Sequence, residues 1–202
     1  VANQTSIFNN THLVDTLLTK NIHLKKIFTP EHGFRGTADE GAHINNSIDE
    51  KTQLPIISLY GKNKKPTAEQ LNDIDIIIFD LQDVGTRFYT YISTMTYVME
   101  AAAENNIPTI ILDRPNPNGF YIDGPVLEGE NASFVGLHQV PVVYGLTIGE
   151  YAKMVNGEYW LKDSLQCNLT VIPLGNYNRN NIYELPVKPS PNLPNWESVY
   201  LY

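Results

Sequence analysis

Short apolar runs alternate along this chain with longer stretches in which apolar residues recur every third or fourth position. Residues 13–18 follow helical spacing, and the short run Ile27-Phe28 opens into a long polar loop over 29–46. Residues 55–60 (PIISLY) read as a second strand and 74–80 (IDIIIFD) as the clearest buried one. The unbroken β-branched character of the latter predicts a sheet covered on both faces. Over 88–106, Phe88, Ile92, Met95, Met99 and Ala103 predict an amphipathic helix. Residues 107–113 (IPTIILD) form a further strand, 147–160 a helix and 169–174 a last strand. Strands alternating with helices imply βαβ units, hence an α/β fold with a mainly parallel sheet flanked by helices.

Composition narrows the function classes. The 202 residues, 42% hydrophobic and 18% charged, suffice for one domain with a sizeable core. Fourteen Lys and Arg against 22 Asp and Glu give a net charge of −8, which argues against nucleic acid as a partner. The single cysteine, Cys167, has no partner for an internal disulfide and reads as structural. No apolar run reaches the roughly 20 residues needed to span a bilayer. Both ends read as cut from a longer protein. Residues 186–194 (PVKPSPNLP), with four prolines in nine positions, read as a linker or crossing segment leaving the sheet.

Ligands of open parallel sheets bind beyond the carboxyl ends of the strands, and there the polar motifs gather. Pro30-Glu31-His32-Gly33-Phe34-Arg35 follows the first apolar run, Leu81-Gln82-Asp83-Val84-Gly85-Thr86-Arg87 follows IDIIIFD, and Arg114-Pro115-Asn116 follows IPTIILD. Glu31, His32, Asp80, Asp83 and Asp113 are therefore expected at one edge. Three of the four arginines, Arg35, Arg87 and Arg114, lie in these loops. Guanidinium groups suit an anionic small molecule; the plainer reading pairs each with a nearby carboxylate, such as Arg114 with Asp113. Glu31 sits on a constrained turn where partial burial would raise its pKa toward that of a general acid, or it is a surface loop glutamate. His32 and His43 with Asp80 and Asp83 have the chemistry of metal ligands, but no metal-site spacing supports them.

No G-x-G-x-x-G follows a strand, and in the Gly36 to Gly41 spacing Ala42 stands where a P-loop lysine would be. A G-x-S-x-G nucleophile elbow is also missing. Twelve tyrosines, with Tyr89, Tyr91, Tyr121 and Tyr144 near predicted loops, suggest rings for stacking on sugar faces.

Taken together, Glu31-His32-Gly33-Phe34-Arg35-Gly36, the run from Phe79 through Asp80, Asp83, Gly85, Arg87 and Tyr89 to Tyr91, Leu112-Asp113-Arg114-Pro115-Asn116-Pro117, and Pro189-Ser190-Pro191-Asn192-Leu193-Pro194 resemble the NamZ-type exo-β-N-acetylmuramidases. The opening Val1-Ala2-Asn3-Gln4-Thr5-Ser6 resembles that family's first strand end. The resemblance implies a Rossmann-like domain over 1–185 and a Pro-rich segment over 186–202 leading to a C-terminal domain outside this chain. It also implies removal of N-acetylmuramic acid from the non-reducing ends of peptidoglycan fragments, with no cofactor, in an extracytoplasmic setting. Glu31 would be the acid and Asp80 or Asp83 the second carboxyl. His32, Arg35, Arg87, Tyr89, Arg114 and Asn116 would contact the sugar, whose lactyl carboxylate suits arginines. A metal-dependent hydrolase and a non-catalytic muropeptide-binding module are the alternatives.

Overall fold

The apolar runs become the strands of a twisted α/β sheet. The computed structural model describes residues 1–31, 33–35 and 46–202. In chain order these hold β1 (Ile7–Phe8), β2 (Thr11–His12), α1 (Leu13–Thr19), β3 (Ile27–Thr29), β4 (Ser47–Ile48), β5 (Pro55–Ser58), α2 (Ala68–Leu71), β6 (Ile77–Phe79), α3 (Tyr91–Glu104), β7 (Thr109–Leu112), α4 (Ile148–Gly157), β8 (Leu169–Ile172) and α5 (Trp196–Leu201). β3 and β5 pair in parallel, with Ile27 opposite Ile56, and β4 runs antiparallel on the far side of β5. β6, β7 and β8 form a second parallel group, with Ile77 opposite Thr109 and Ile110 opposite Thr170.

Residues 1–2 join the two groups. The Ala2 N–H donates to the Phe28 carbonyl at 3.0 Å, the Asp80 N–H donates to the Val1 carbonyl at 2.9 Å, and Ala2 bridges Asp80 in parallel. With residues 1–2 counted as the first strand, the parallel order is 3-2-1-4-5-6, the doubly wound Rossmann order. It reverses between residues 1–2 and β6, where neighbouring loops diverge and leave a crevice.

Side-chain alternation divides the core. Ile27 and Ile56 join Ala2, Val14 and Phe34 in one apolar cluster, whereas Phe28 joins β6, α3 and α4 in the other, because successive strand residues face opposite sides. The expectation that 74–80 is covered on both faces needs correction. Ile77 and Phe79 are buried, but Ile78 is only half-buried and Ile76 is 45% exposed. On that face α1 has only seven residues and packs over the β3 side.

α3 departs from the predicted amphipathic helix. It begins at Tyr91, leaving Phe88 outside, and eleven of its fourteen residues are buried, including Ser93, Thr94 and Thr96. Small side chains let α3 pack on several sides at once, and the Thr94 and Thr96 hydroxyls return to the carbonyls of Thr90 and Ile92 at 3.2 and 2.9 Å. α4 starts with a capping box: the Glu150 N–H donates to Thr147 Oγ1 at 3.2 Å, and the Thr147 N–H donates to Glu150 Oε2 at 2.9 Å. The Pro-rich segment crosses back over the sheet edge. Its Pro189 carbonyl accepts from Tyr89 Oη at 2.9 Å and from Gln4 Nε2 at 3.0 Å, and Leu193 is 3% exposed.

Candidate active site

The crevice is built by turns following residues 1–2, β3, β6 and β7. After the first strand, Asn3 is fully buried; its Oδ1 accepts from the N–H and hydroxyl of Thr5 at 2.9 and 2.6 Å, and its Nδ2 donates to Tyr91 Oη at 2.8 Å. Thr5 Oγ1 in turn accepts from the Gln82 N–H at 3.1 Å. The first turn is thus tied to the β6 turn on one side and to the start of α3 on the other. After β3, Pro30 fixes the backbone direction, and Gly33, at φ +78°, folds it back with its N–H toward the Pro30 carbonyl at 3.4 Å. Glu31 projects from this turn.

Asp83 lies in the β6 turn and is 4% exposed. Its Oδ2 accepts from the Gly85 N–H at 2.7 Å and from the Tyr144 hydroxyl, while Oδ1 is buried without a partner among the described residues. Desolvation dominates these two hydrogen bonds and pushes the carboxyl up to about 7. The turn requires glycine at 85: φ is +81°, and a Cβ there would lie 2.1 Å from Asn116 Oδ1. Asn116 is held in place, donating to the Leu146 carbonyl at 2.8 Å and accepting from the Asn118 N–H at 2.8 Å.

Asp80 is 1% exposed and takes both arms of Arg114, Nε to Oδ1 at 2.7 Å and a terminal nitrogen to Oδ2 at 2.8 Å. Arg114 therefore pairs across strands with Asp80, and from Asp113 receives only a bond between its backbone N–H and Oδ1, at 3.0 Å. Asp113 instead serves α4, accepting from the Gly149 N–H at 2.8 Å and the Thr147 hydroxyl at 2.9 Å. Arg35 is bidentate to Asp49, both bonds 2.8 Å, with Asp15 at 3.5 Å; the guanidinium holds the Asp49 carboxyl well below the usual range. Arg87 donates to the carbonyls of Pro125 and Val140 at 2.9 and 2.5 Å. Each of the three arginines expected to meet an anion is engaged within the protein.

Glu31 lines a cavity of about 410 Å³ together with Tyr60, Lys64, Thr90, Ser133 and Phe134, a size that suits one sugar ring. Tyr91 connects this wall to the Asp83 turn. Burial pushes its hydroxyl well above the usual phenol range, and the charges of both Glu31 and Asp83 push in the same direction. The two carboxyls thus stand at one edge, around one tyrosine. A smaller cavity of about 130 Å³, lined mainly by apolar residues of α1, β3 and β6 with Lys25, Lys26 and Asp75 also on its wall, does not include these groups.

The tyrosines need a correction. Tyr89, Tyr91 and Tyr144 are 7%, 2% and 4% exposed, so their rings are packed in the core and only their hydroxyls serve the site. Tyr144 donates to Asp83, Tyr89 donates to Pro189, and the Tyr89 and Tyr91 hydroxyls bond to each other. Sequence reasoning did not find Asn3, Lys64, Ser133 or Phe134; Lys64 lies far along the chain from the adjacent Ser133 and Phe134, and no spacing signals their convergence. His32, His43 and the Gly36 to Gly41 stretch lie outside the described residues. Among the described residues no cluster of three His, Cys, Asp or Glu is arranged to hold a metal.

Comparison with known proteins adds to this geometry. The family described as exo-beta-N-acetylmuramidase NamZ, N-terminal, matches residues 1–197. The peptidoglycan beta-N-acetylmuramidase NamZ of Bacillus subtilis is 52% identical over 187 residues, which is 90% of this chain and 44% of that protein. Two crystal structures of DUF1343 family proteins from Bacteroides fragilis superpose over 100% of this chain with TM-scores of 0.90, at 49% and 42% identity, covering 53% and 52% of their own chains. The chain spans about half the length of these relatives.

Proposed function

Because this chain belongs to the family of the N-terminal domain of the exo-β-N-acetylmuramidase NamZ, we propose that it carries the acid-bearing half of a glycosidase that releases N-acetylmuramic acid from the non-reducing ends of peptidoglycan fragments. The observation that carries this reading is Glu31, a carboxyl on the turn after β3 at the carboxyl edge of the sheet, lining a cavity of about 410 Å³. The relatives favour neither the metal-dependent nor the non-catalytic alternative.

In this mechanism Glu31 donates its proton to the glycosidic oxygen as the bond from that oxygen to C1 breaks. Water supplies the oxygen that C1 gains, and its released proton returns to a carboxylate. Asp83 suits the second role better than Asp80. Both Asp80 oxygens are occupied by Arg114, whereas Asp83 Oδ1 has no hydrogen-bond partner among the described residues and the carboxyl is pushed up to about 7. The crevice is completed, on this reading, by a further domain to which residues 186–202 lead. A cell-wall substrate supports an extracytoplasmic location.

The test is Glu31→Gln in the natural full-length protein. Turnover of a natural N-acetylmuramic acid disaccharide is expected to fall by about a hundred- to ten-thousand-fold. The fall should be much smaller for an aryl glycoside whose phenolate departs without protonation. Near-unmodified turnover of the disaccharide would remove Glu31 from the role.

A further inference from the structure

We propose that Lys64 is the carboxylate receptor of the Glu31 cavity and makes the site select N-acetylmuramic acid over N-acetylglucosamine, with Phe134 as its positioning residue. This deepens the glycosidase reading above and rests on it. The two sugars differ by the lactyl ether on O3 of N-acetylmuramic acid, which carries a carboxylate. O3 is attached two ring carbons from C1, so the cation that meets the lactyl group must share a cavity with the acid without sharing its wall. Glu31 reaches the cavity from the turn after β3, and Lys64 from the segment between β5 and α2.

A local cation is a physical requirement here. The chain carries a net charge of −8, so an anionic sugar is disfavoured unless a positive group faces it. The arginines are already engaged: Arg35 by Asp49 and Asp15, Arg87 by two carbonyls, Arg114 by Asp80, and Arg179 by Glu150 at 2.6 Å and the Gly145 carbonyl at 2.9 Å. The adjacent Lys65 is taken by Glu104 at 2.7 Å and Glu100 at 3.2 Å. Lys64 lines the cavity and has no carboxylate within ion-pair distance among the described residues.

Lys64 is also held in place. Its Nζ stands 4.4 Å from the centroid of the Phe134 ring, a cation–π contact, and Phe134 stacks on Tyr97 of α3 with centroids 5.8 Å apart and planes 20° apart. An aromatic face restrains the ammonium without neutralising it, so its N–H donors remain available to a carboxylate. A restrained side chain loses less entropy when the ligand arrives.

The experiment measures binding of free N-acetylmuramic acid and free N-acetylglucosamine by calorimetry, using the natural full-length protein made inert by Glu31→Gln. Lys64→Met in that background should weaken N-acetylmuramic acid about 10- to 100-fold and move N-acetylglucosamine by less than about threefold. Lys64→Arg should restore most of the difference. Phe134→Leu should give a smaller loss, also confined to N-acetylmuramic acid. Equal weakening of both sugars, no weakening of either, or equal affinities before substitution would overturn the assignment. The two readings fail differently. A full-length protein that hydrolyses no N-acetylmuramic acid glycoside defeats the glycosidase reading, whereas one that does so with its sugar preference unchanged by Lys64→Met defeats only the role of Lys64.

Discussion

The Asp83 carboxyl offers a test of the site's electrostatics that does not depend on substrate. Its ordinary value of 3.8 rises to about 7 because burial penalises the anion more than the Gly85 N–H and Tyr144 hydroxyl support it. A difference of that size means the folded protein holds this proton about 4 kcal/mol more tightly than the unfolded chain. The sign follows from linkage. The folded pKa lies above the unfolded one, so the stabilisation is fully present below about pH 4 and is lost as pH rises through about 7. Asp83→Asn removes the titration while keeping the shape, since an amide oxygen can still accept from both donors. In urea denaturation between pH 4 and 8, the variant is expected to lie within about 1 kcal/mol of the unmodified protein at the acid end. Toward pH 8 it should become the more stable of the two, by a margin approaching about 4 kcal/mol. A difference that stays flat across this range would mean that Asp83 titrates as an ordinary carboxyl, and the argument from burial would be wrong.

Two further substitutions probe the frame around the crevice. Gly85→Ala forces a side chain into a left-handed backbone and against Asn116 Oδ1, and should lower stability by about 1–3 kcal/mol in thermal or urea unfolding; a neutral variant would contradict the turn geometry. Arg114→Ala leaves Asp80 buried without its partner and should cost about 3–5 kcal/mol, most of it recovered in an Asp80→Asn background. Additive losses in the double variant would show that the pair is not coupled.

Much of this protein is legible in its sequence. The α/β class, the parallel sheet and most strand and helix positions follow from hydrophobic periodicity, because periodicity records which side of an element faces the core. The positions of the polar motifs follow as well: a turn directly after a buried strand has to emerge at the carboxyl edge, which brings Glu31, Asp80 and Asp83 to one side. Side-chain pairings do not follow, since they depend on contacts between residues distant in the chain. Sequence offers three arginines near carboxylates; only the folded structure joins Arg114 to Asp80 and Arg35 to Asp49, leaving them engaged internally. Twelve tyrosines suggest sugar platforms, yet packing buries the rings of Tyr89, Tyr91 and Tyr144 and turns their hydroxyls toward Asp83 and its neighbours. Lys64 carries no motif and acquires its place only where the loop after β5 meets Phe134, seventy residues further along the chain. Local pattern thus determined which elements form and which edge carries the chemistry, while desolvation and long-range contact, which exist only in the folded state, decided which of those charged groups remain available to a ligand.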